Sequence, residues 1–164
     1  MAEKESRMKE QHVESADSAG QHVEIVHLPV APQVTAMTRF SSMLPSKISF
    51  MMPAEAVDFL DRVYAHKNGK IDMVAITGPG DPLAVPDTTI KTLRLVRDRY
   101  PELNLGLKTL GIGAEKFAEE LAATGVGYVE MTVNAVKEEL LEKIYAWIRP
   151  GQKTLKIGEA VKLL

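Results

Sequence analysis

The sequence predicts an α/β fold: about four strand–helix units on a parallel sheet. Three observations carry this. Apolar runs of strand length alternate with segments whose apolar residues recur at helical spacing. The connections between them are short. Glycine and proline mark several of the joints, as in GPGDP (78–82), Gly125 and Pro150-Gly151.

In order, EIVHLPV (24–30) alternates enough for a strand. PAEAVDFLDRVYAHK (53–67) has Ala56, Val57, Leu60, Val63 and Tyr64 on one stripe, with Pro53 near its start, and reads as a helix. IDMVAIT (71–77) is a buried strand, and GPGDP (78–82) follows at once. PDTTIKTLRLVRDRY (86–100) is helical, with a broad face of Ile90, Leu93, Leu95, Val96 and Tyr100. LNLGLKT (103–109) reads as a strand and AEKFAEELAATG (114–125) as a helix closed by Gly125. VGYVEMTVN (126–134) is a strand. AVKEELLEKIYAWI (135–148) reads as a helix stopped by Pro150-Gly151, and LKIGEAVKLL (155–164) as the start of another. Residues 1–22 are polar and without period, so they are expected to be a flexible segment ahead of a domain spanning 23–164.

Strands joined through helices run parallel. Such a sheet either opens into a doubly wound fold or curls into a barrel. Both gather ligands at the C-terminal ends of the strands. The loops of interest therefore follow Val30, Thr77, Thr109 and Asn134.

Composition narrows the function. A net charge of −2 and a pI near 6.1 offer no basic stripe for nucleic acid. No apolar run approaches membrane-spanning length, and MAEKESRMKEQ has no apolar core of a secretion signal, so a cytoplasmic protein is expected. Cysteine is absent, which removes disulfides, thiolate metal sites and thiol catalysis together. His12, His22, His27 and His66 are scattered.

ITGPGDPLA (76–84) is the strongest loop for chemistry. Two glycines allow close backbone approach, and Asp81 with backbone carbonyls suits a cationic amine. The competing reading is a tight Gly-Pro-Gly turn with an Asp-Pro lead-in. It matches neither the Walker phosphate loop nor GxGxxG. LKTLGIG (107–113) places Thr109 at a strand end, as a ligand contact or as part of a turn. Asn134 in MTVNAV follows a strand, as a ligand contact or as a helix cap. Glu138, Glu139 and Glu142 with Lys137 and Lys143 read as a solvated helix face. Met37, Met43, Met51 and Met52 read as apolar gap fillers, and Trp147 as core.

HLPVAP, GPGDPLA, the strand end before Gly111, TVNAV, KIYAWIR and GEAVKLL, in that order from about residue 12 to 164, resemble the radical S-adenosylmethionine (SAM) domain of the NifB family. GPGDPLA together with KIYAWIR is the most specific part. The resemblance implies a partial (β/α) barrel of the radical SAM type and a role in iron–sulfur and nitrogenase cofactor biosynthesis. In that family the loop after the first strand carries CxxxCxxC. Its three thiolates hold a [4Fe–4S] cluster whose open iron binds SAM, and reduction releases a 5′-deoxyadenosyl radical. The family uses this chemistry to methylate, and insert a carbide into, an iron–sulfur precursor. By the same resemblance Gly78, Pro79, Gly80, Asp81, Pro82, Thr109 and Asn134 are the SAM-binding candidates.

This sequence departs from the pattern at the ligands. The three cysteine positions hold Val34, Thr38 and Ser41. The family's upstream His-Pro-Cys aligns with His12-Val13-Glu14, a third-strand cysteine with Gly106, and a strand-end Asn with Leu110. SMLPSKISF (42–50) replaces a cysteine-containing stretch. Valine cannot ligate iron, and neutral hydroxyls replace thiolates poorly. His12 and His27 are then the metal candidates that persist.

The expectation is a degenerate member without radical catalysis, in which the family's cluster is unsupportable and SAM binding is weak. The alternative is a non-catalytic SAM-binding module or an interaction scaffold. No strands are legible beyond GEAVKLL, so the barrel is expected to be partial. Its last strand then has an unpaired edge, open to a second copy or to a complete homologue.

Overall fold

The computed structural model describes residues 13–18, 21–41, 49–149 and 155–163, with residues 13–18 and 21–22 described by backbone alone. His12, Met43 and most of 42–50 lie outside the described residues.

The chain opens with a hairpin. β1 (Val13–Ser18) pairs antiparallel with β2 (Gln21–Pro29), Ser18 opposite Gln21. β3 (Ala36–Thr38) is short, and α1 (Pro53–His66) follows. Then come β4 (Met73–Thr77), α2 (Pro86–Arg99), β5 (Asn104–Thr109), α3 (Ala118–Ala123) and β6 (Val126–Met131). The last elements are α4 (Glu138–Ile144), β7 (Tyr145–Ile148) and α5 (Ile157–Ala160).

The main sheet has the order β1-β2-β4-β5-β6. β2, β4, β5 and β6 are mutually parallel, with Val26 beside Val74, Ile76 beside Leu107 and Lys108 beside Glu130. The order advances in one direction and never doubles back. A doubly wound sheet reverses at a switch point; this one does not. It is an arc of a β/α barrel, and the barrel is not closed.

The core explains the arc. Val26, Leu28, Val74, Ile76, Leu105 and Leu107 pack from the strands against Ala56, Phe59 and Leu60 of α1 and Ile90, Leu93 and Val96 of α2. Each of those helices begins with a proline at its first position, where the missing N–H costs nothing. Glu55 accepts a 2.8 Å hydrogen bond from the Met52 N–H and completes the start of α1. Arg97 at the end of α2 donates to the carbonyls of Pro101, Leu103 and Gly125 at 2.7–3.0 Å, tying the helix to the entries of β5 and β6.

Three readings of the sequence need correction. Residues 13–18 and 21–22, expected to lie in a flexible segment, are strands of the hairpin. The predicted helix over 135–148 stops at Ile144; Tyr145–Ile148 is a strand, pairing antiparallel with β3 as Ala36 to Ile148, Met37 to Trp147 and Thr38 to Tyr145. The predicted helix over 114–125 is a 3-10 turn (Ala114–Lys116) and then α3; Gly113 and Gly125 take the left-handed conformation at its two ends, with φ of 73° and 77°. α5 likewise passes into a 3-10 turn at Val161–Leu163.

A second, smaller core lies beyond the sheet. Leu141, Tyr145, Ile148, Ala160 and Val161 bury one another, with Ala36, Ile112 and Ala135 packed against them. This cluster joins α4, β7 and α5 to the loops at the C-terminal strand ends. Among the described residues no helix is long and apolar enough to cross a membrane.

Candidate functional site

The C-terminal ends of β2, β4 and β5 converge on a cleft of about 200 Å³. Gly78, Pro79, Gly80 and Asp81 form one wall; Lys108, Thr109 and Leu110 form the other. Val34, Thr35 and Ala36 lie across the mouth, with Thr132 beyond.

Backbone contact fixes the first wall. Val30 N–H donates to the Thr77 carbonyl at 3.2 Å, Gly80 N–H to Ala31 at 2.9 Å, and Asp81 N–H to Gln33 at 2.9 Å. The approach is so close that only glycine fits. A Cβ on Gly78 would lie 2.4 Å from the Ala31 carbonyl oxygen, and one on Gly80 2.1 Å from that of Gln33. The rigid Pro29–Pro32 stretch and the Gly-Pro-Gly turn are therefore two halves of one clamp. Val30 and Ala31 are fully buried in it.

Asp81 holds the two walls together. Its Oδ1 accepts from Leu83 N–H at 2.8 Å and from the Thr109 hydroxyl at 2.7 Å; its Oδ2 accepts from Leu110 N–H at 2.7 Å. The Thr109 hydroxyl in turn accepts from Gly111 N–H at 3.0 Å. Asp81 is only 6 % exposed. The carboxylate that sequence reasoning assigned to a ligand amine is first an internal tie. Its geometry matches the competing turn reading, extended by a cross-strand link to β5.

Other candidates separate. Pro82 is buried in the 3-10 turn Pro82–Ala84 and does not line the cleft. Asn134 does not join the cleft either, nor does it cap a helix. Its Nδ2 donates to the Tyr145 hydroxyl at 2.6 Å, beside a separate cavity of about 20 Å³ shared with Met131, Leu141 and Tyr145. Sequence reasoning missed Thr35, Lys108 and Thr132. A signal existed: Thr77, Thr109 and Thr132 recur where β4, β5 and β6 end. Lys108 pairs with Glu130 at 2.8 Å. Thr35 is 5 % exposed, and its hydroxyl oxygen is buried without a hydrogen-bond partner among the described residues.

The displaced titrations lie elsewhere, on the outer helices. The Tyr100 hydroxyl donates to Asp61 at 2.5 Å. That bond, helped by Arg99, holds the Asp61 carboxyl below its usual range, while burial and Asp61 push Tyr100 up to about 12. Asp61 also holds the Arg99 guanidinium in its protonated form. Tyr64, donating to Glu102 at 3.0 Å, is raised by that bond.

The residues at the family's cysteine positions do not fit an iron–sulfur cluster. Val34 has no donor atom. The Thr38 and Ser41 hydroxyls lie 2.8 Å apart and hydrogen-bond to each other. Gly106 sits inside the sheet between Ala75 and Tyr128. His27 lies half-buried on β2 beside Ala75. Among the described residues no three His, Cys, Asp or Glu side chains are grouped to hold a metal ion.

The cleft is lined by glycine backbone and by apolar surface from Val34, Ala36 and Leu110.

No family model matches the chain. It is similar to FeMo cofactor biosynthesis protein NifB of Chlorobaculum tepidum, with 36 % identity over 150 residues, covering 85 % of this chain and 35 % of that protein. NifB of Methanocaldococcus infernus is 32 % identical over 149 residues, 85 % of this chain and 49 % of that protein. NifB of Klebsiella pneumoniae is 32 % identical over 131 residues, 75 % of this chain and 28 % of that protein. The chain thus spans about a third to a half of the length of the first two relatives.

Proposed function

Since the chain belongs to the NifB family over the segment it shares with these relatives, we propose that it serves FeMo cofactor biosynthesis as a non-catalytic member that binds SAM weakly. The observation carrying this reading is the cleft itself: a glycine-lined pocket at the strand ends, beside a first loop without thiolates. Thr35, Gly78, Gly80 and Leu110 would hold SAM, whose bound form supplies a sulfonium and an amino acid group. The chain's own residues supply shape and hydrogen bonds. Affinity is low because no iron chelates the amino and carboxylate groups.

Calorimetric titration with SAM tests this. Saturable heat is expected, weakened by Thr35→Val and unchanged by Asn134→Ala, because Asn134 faces a different cavity. Absence of heat at high SAM, from a chain shown to be folded by circular dichroism, would overturn the SAM reading.

A second reading, a scaffold that pairs with another copy or with a complete homologue, is favoured by one observation. β6 ends the sheet with Tyr128, Val129 and Met131 each about half exposed. An uncovered apolar edge strand is a template for further pairing.

A further inference from the structure

We infer that the first loop, residues 31–41, works as a metal-independent clasp. It fastens the small second core over the cleft, at the place where the family's pattern puts a cluster. Three independent sets of contacts support this.

At its root, the loop is bonded through Ala31 and Gln33 to the Gly78–Asp81 turn, at a distance that admits no side chain. At its far end, β3 is stitched to β7. The Arg149 N–H donates to the Thr35 carbonyl at 2.6 Å and Arg39 N–H to the Ile144 carbonyl at 2.8 Å, on either side of the Ala36–Ile148 and Met37–Trp147 pairs. Ala36 packs into the second core, beside Tyr145 and Ile148. At the end of β3, the Thr38 and Ser41 hydroxyls satisfy each other across a turn closed by Ser41 N–H to the Thr38 carbonyl at 3.2 Å.

A loop that carries three ligands takes its shape from the metal, and such loops lose order without it. This loop takes its shape from strand pairing and apolar packing. Backbone groups of Thr35 and Arg39 that would otherwise be free are committed to Arg149 and Ile144, the residues on either side of β7. Cysteine is absent from the whole chain, so no thiolate competes for that role. The clasp goes beyond the SAM reading and stands without it.

Trp147 is the one tryptophan of the chain, and it lies opposite Met37 with the Arg149 guanidinium 4.6 Å from its ring centroid. Its fluorescence therefore reports the clasp directly. The experiment has two arms on the full chain. In the first, the chain is reconstituted anaerobically with ferrous iron and sulfide, desalted, and assayed for iron, sulfide and visible charge-transfer absorption. Background iron, with thermal unfolding unmoved by a chelator, is expected. A stoichiometric cluster, or a melting temperature that falls with chelator, would overturn the proposal. In the second, Met37→Pro removes a ladder donor from β3. A red-shifted Trp147 emission and faster proteolysis between α4 and α5 are expected, with the far-ultraviolet signal of the main sheet retained. Ala36→Asp, which loads the second core without altering the backbone, must give the same shift. Emission unchanged in both variants would show that β3 does not hold the second core.

Discussion

The Thr109 hydroxyl donates a 2.7 Å hydrogen bond to Asp81, joining the loop after β5 to the loop after β4. With Leu83 and Leu110 N–H also donating, one buried carboxylate organises both walls of the cleft. Hydrogen bonds to an ionised acceptor contribute more than neutral ones, and donors left buried and unpaired cost more still. Asp81→Ala is expected to destabilise the chain by roughly 3 kcal/mol or more in urea unfolding. Asp81→Asn, which keeps one carbonyl acceptor, should lose less. Equal losses for the two would mean that the charge and its three bonds count for little.

The glycines of the clamp make a sharper contrast. Gly80→Ala places a methyl group about where the Gln33 carbonyl stands, and overpacking of this kind costs about 1–3 kcal/mol. Gly127→Ala meets nothing within 4 Å, and its φ is not positive. It should be neutral, or stabilising by about 0.5 kcal/mol through the unfolded chain. Denaturation midpoints of the two variants measure the difference.

Stability should fall at both extremes of pH through the Asp61–Tyr100 pair. The folded state holds the Asp61 carboxyl down, so its contribution is present above the unfolded value near 4 and lost as pH falls through the lower folded value. The folded state raises Tyr100 to about 12, so its contribution is complete below the unfolded value near 10 and lost as pH rises through about 12. Asp61→Asn should flatten the acid limb, and Tyr100→Phe should flatten both. Thermal unfolding against pH, compared with the native chain, checks each limb.

The parallel strands were legible because buried runs such as Val74–Ile76 and Leu105–Leu107 are apolar on both faces, and glycine and proline bound them. β7 was not legible. Leu141, Ile144, Tyr145 and Ile148 keep helical spacing, and only pairing with β3, more than a hundred residues earlier, turns Tyr145–Ile148 into a strand. The hairpin strand Val13–Ser18 was missed for the same reason: its partner, not its own pattern, makes it a strand. In the cleft, proximity of Gly78–Asp81 to Thr109 followed from the shared strand ends. That the Asp81 carboxylate turns inward to Leu83, Thr109 and Leu110 could not follow, since hydrogen-bond partners depend on loop geometry. Asn134 was misplaced because β6 is the edge strand, and the chain leaves it for the second core, where Tyr145 awaits the amide.

The open edge gives a further expectation. Sedimentation velocity over a concentration series should show self-association of the native chain, and Val129→Lys should suppress it, since an edge lysine blocks strand addition. A native chain that stays monomeric throughout would remove the β6 edge as a self-pairing surface.

The most direct test of the proposal that this NifB relative lacks radical chemistry is to supply everything the chemistry needs. After anaerobic treatment with iron and sulfide, the chain is mixed with SAM and a strong reductant, and 5′-deoxyadenosine is quantified by mass spectrometry. With Val34, Thr38 and Ser41 in place of three thiolates, no 5′-deoxyadenosine above the protein-free control is expected. Repeated turnover, giving more 5′-deoxyadenosine than chain, would contradict the proposal outright.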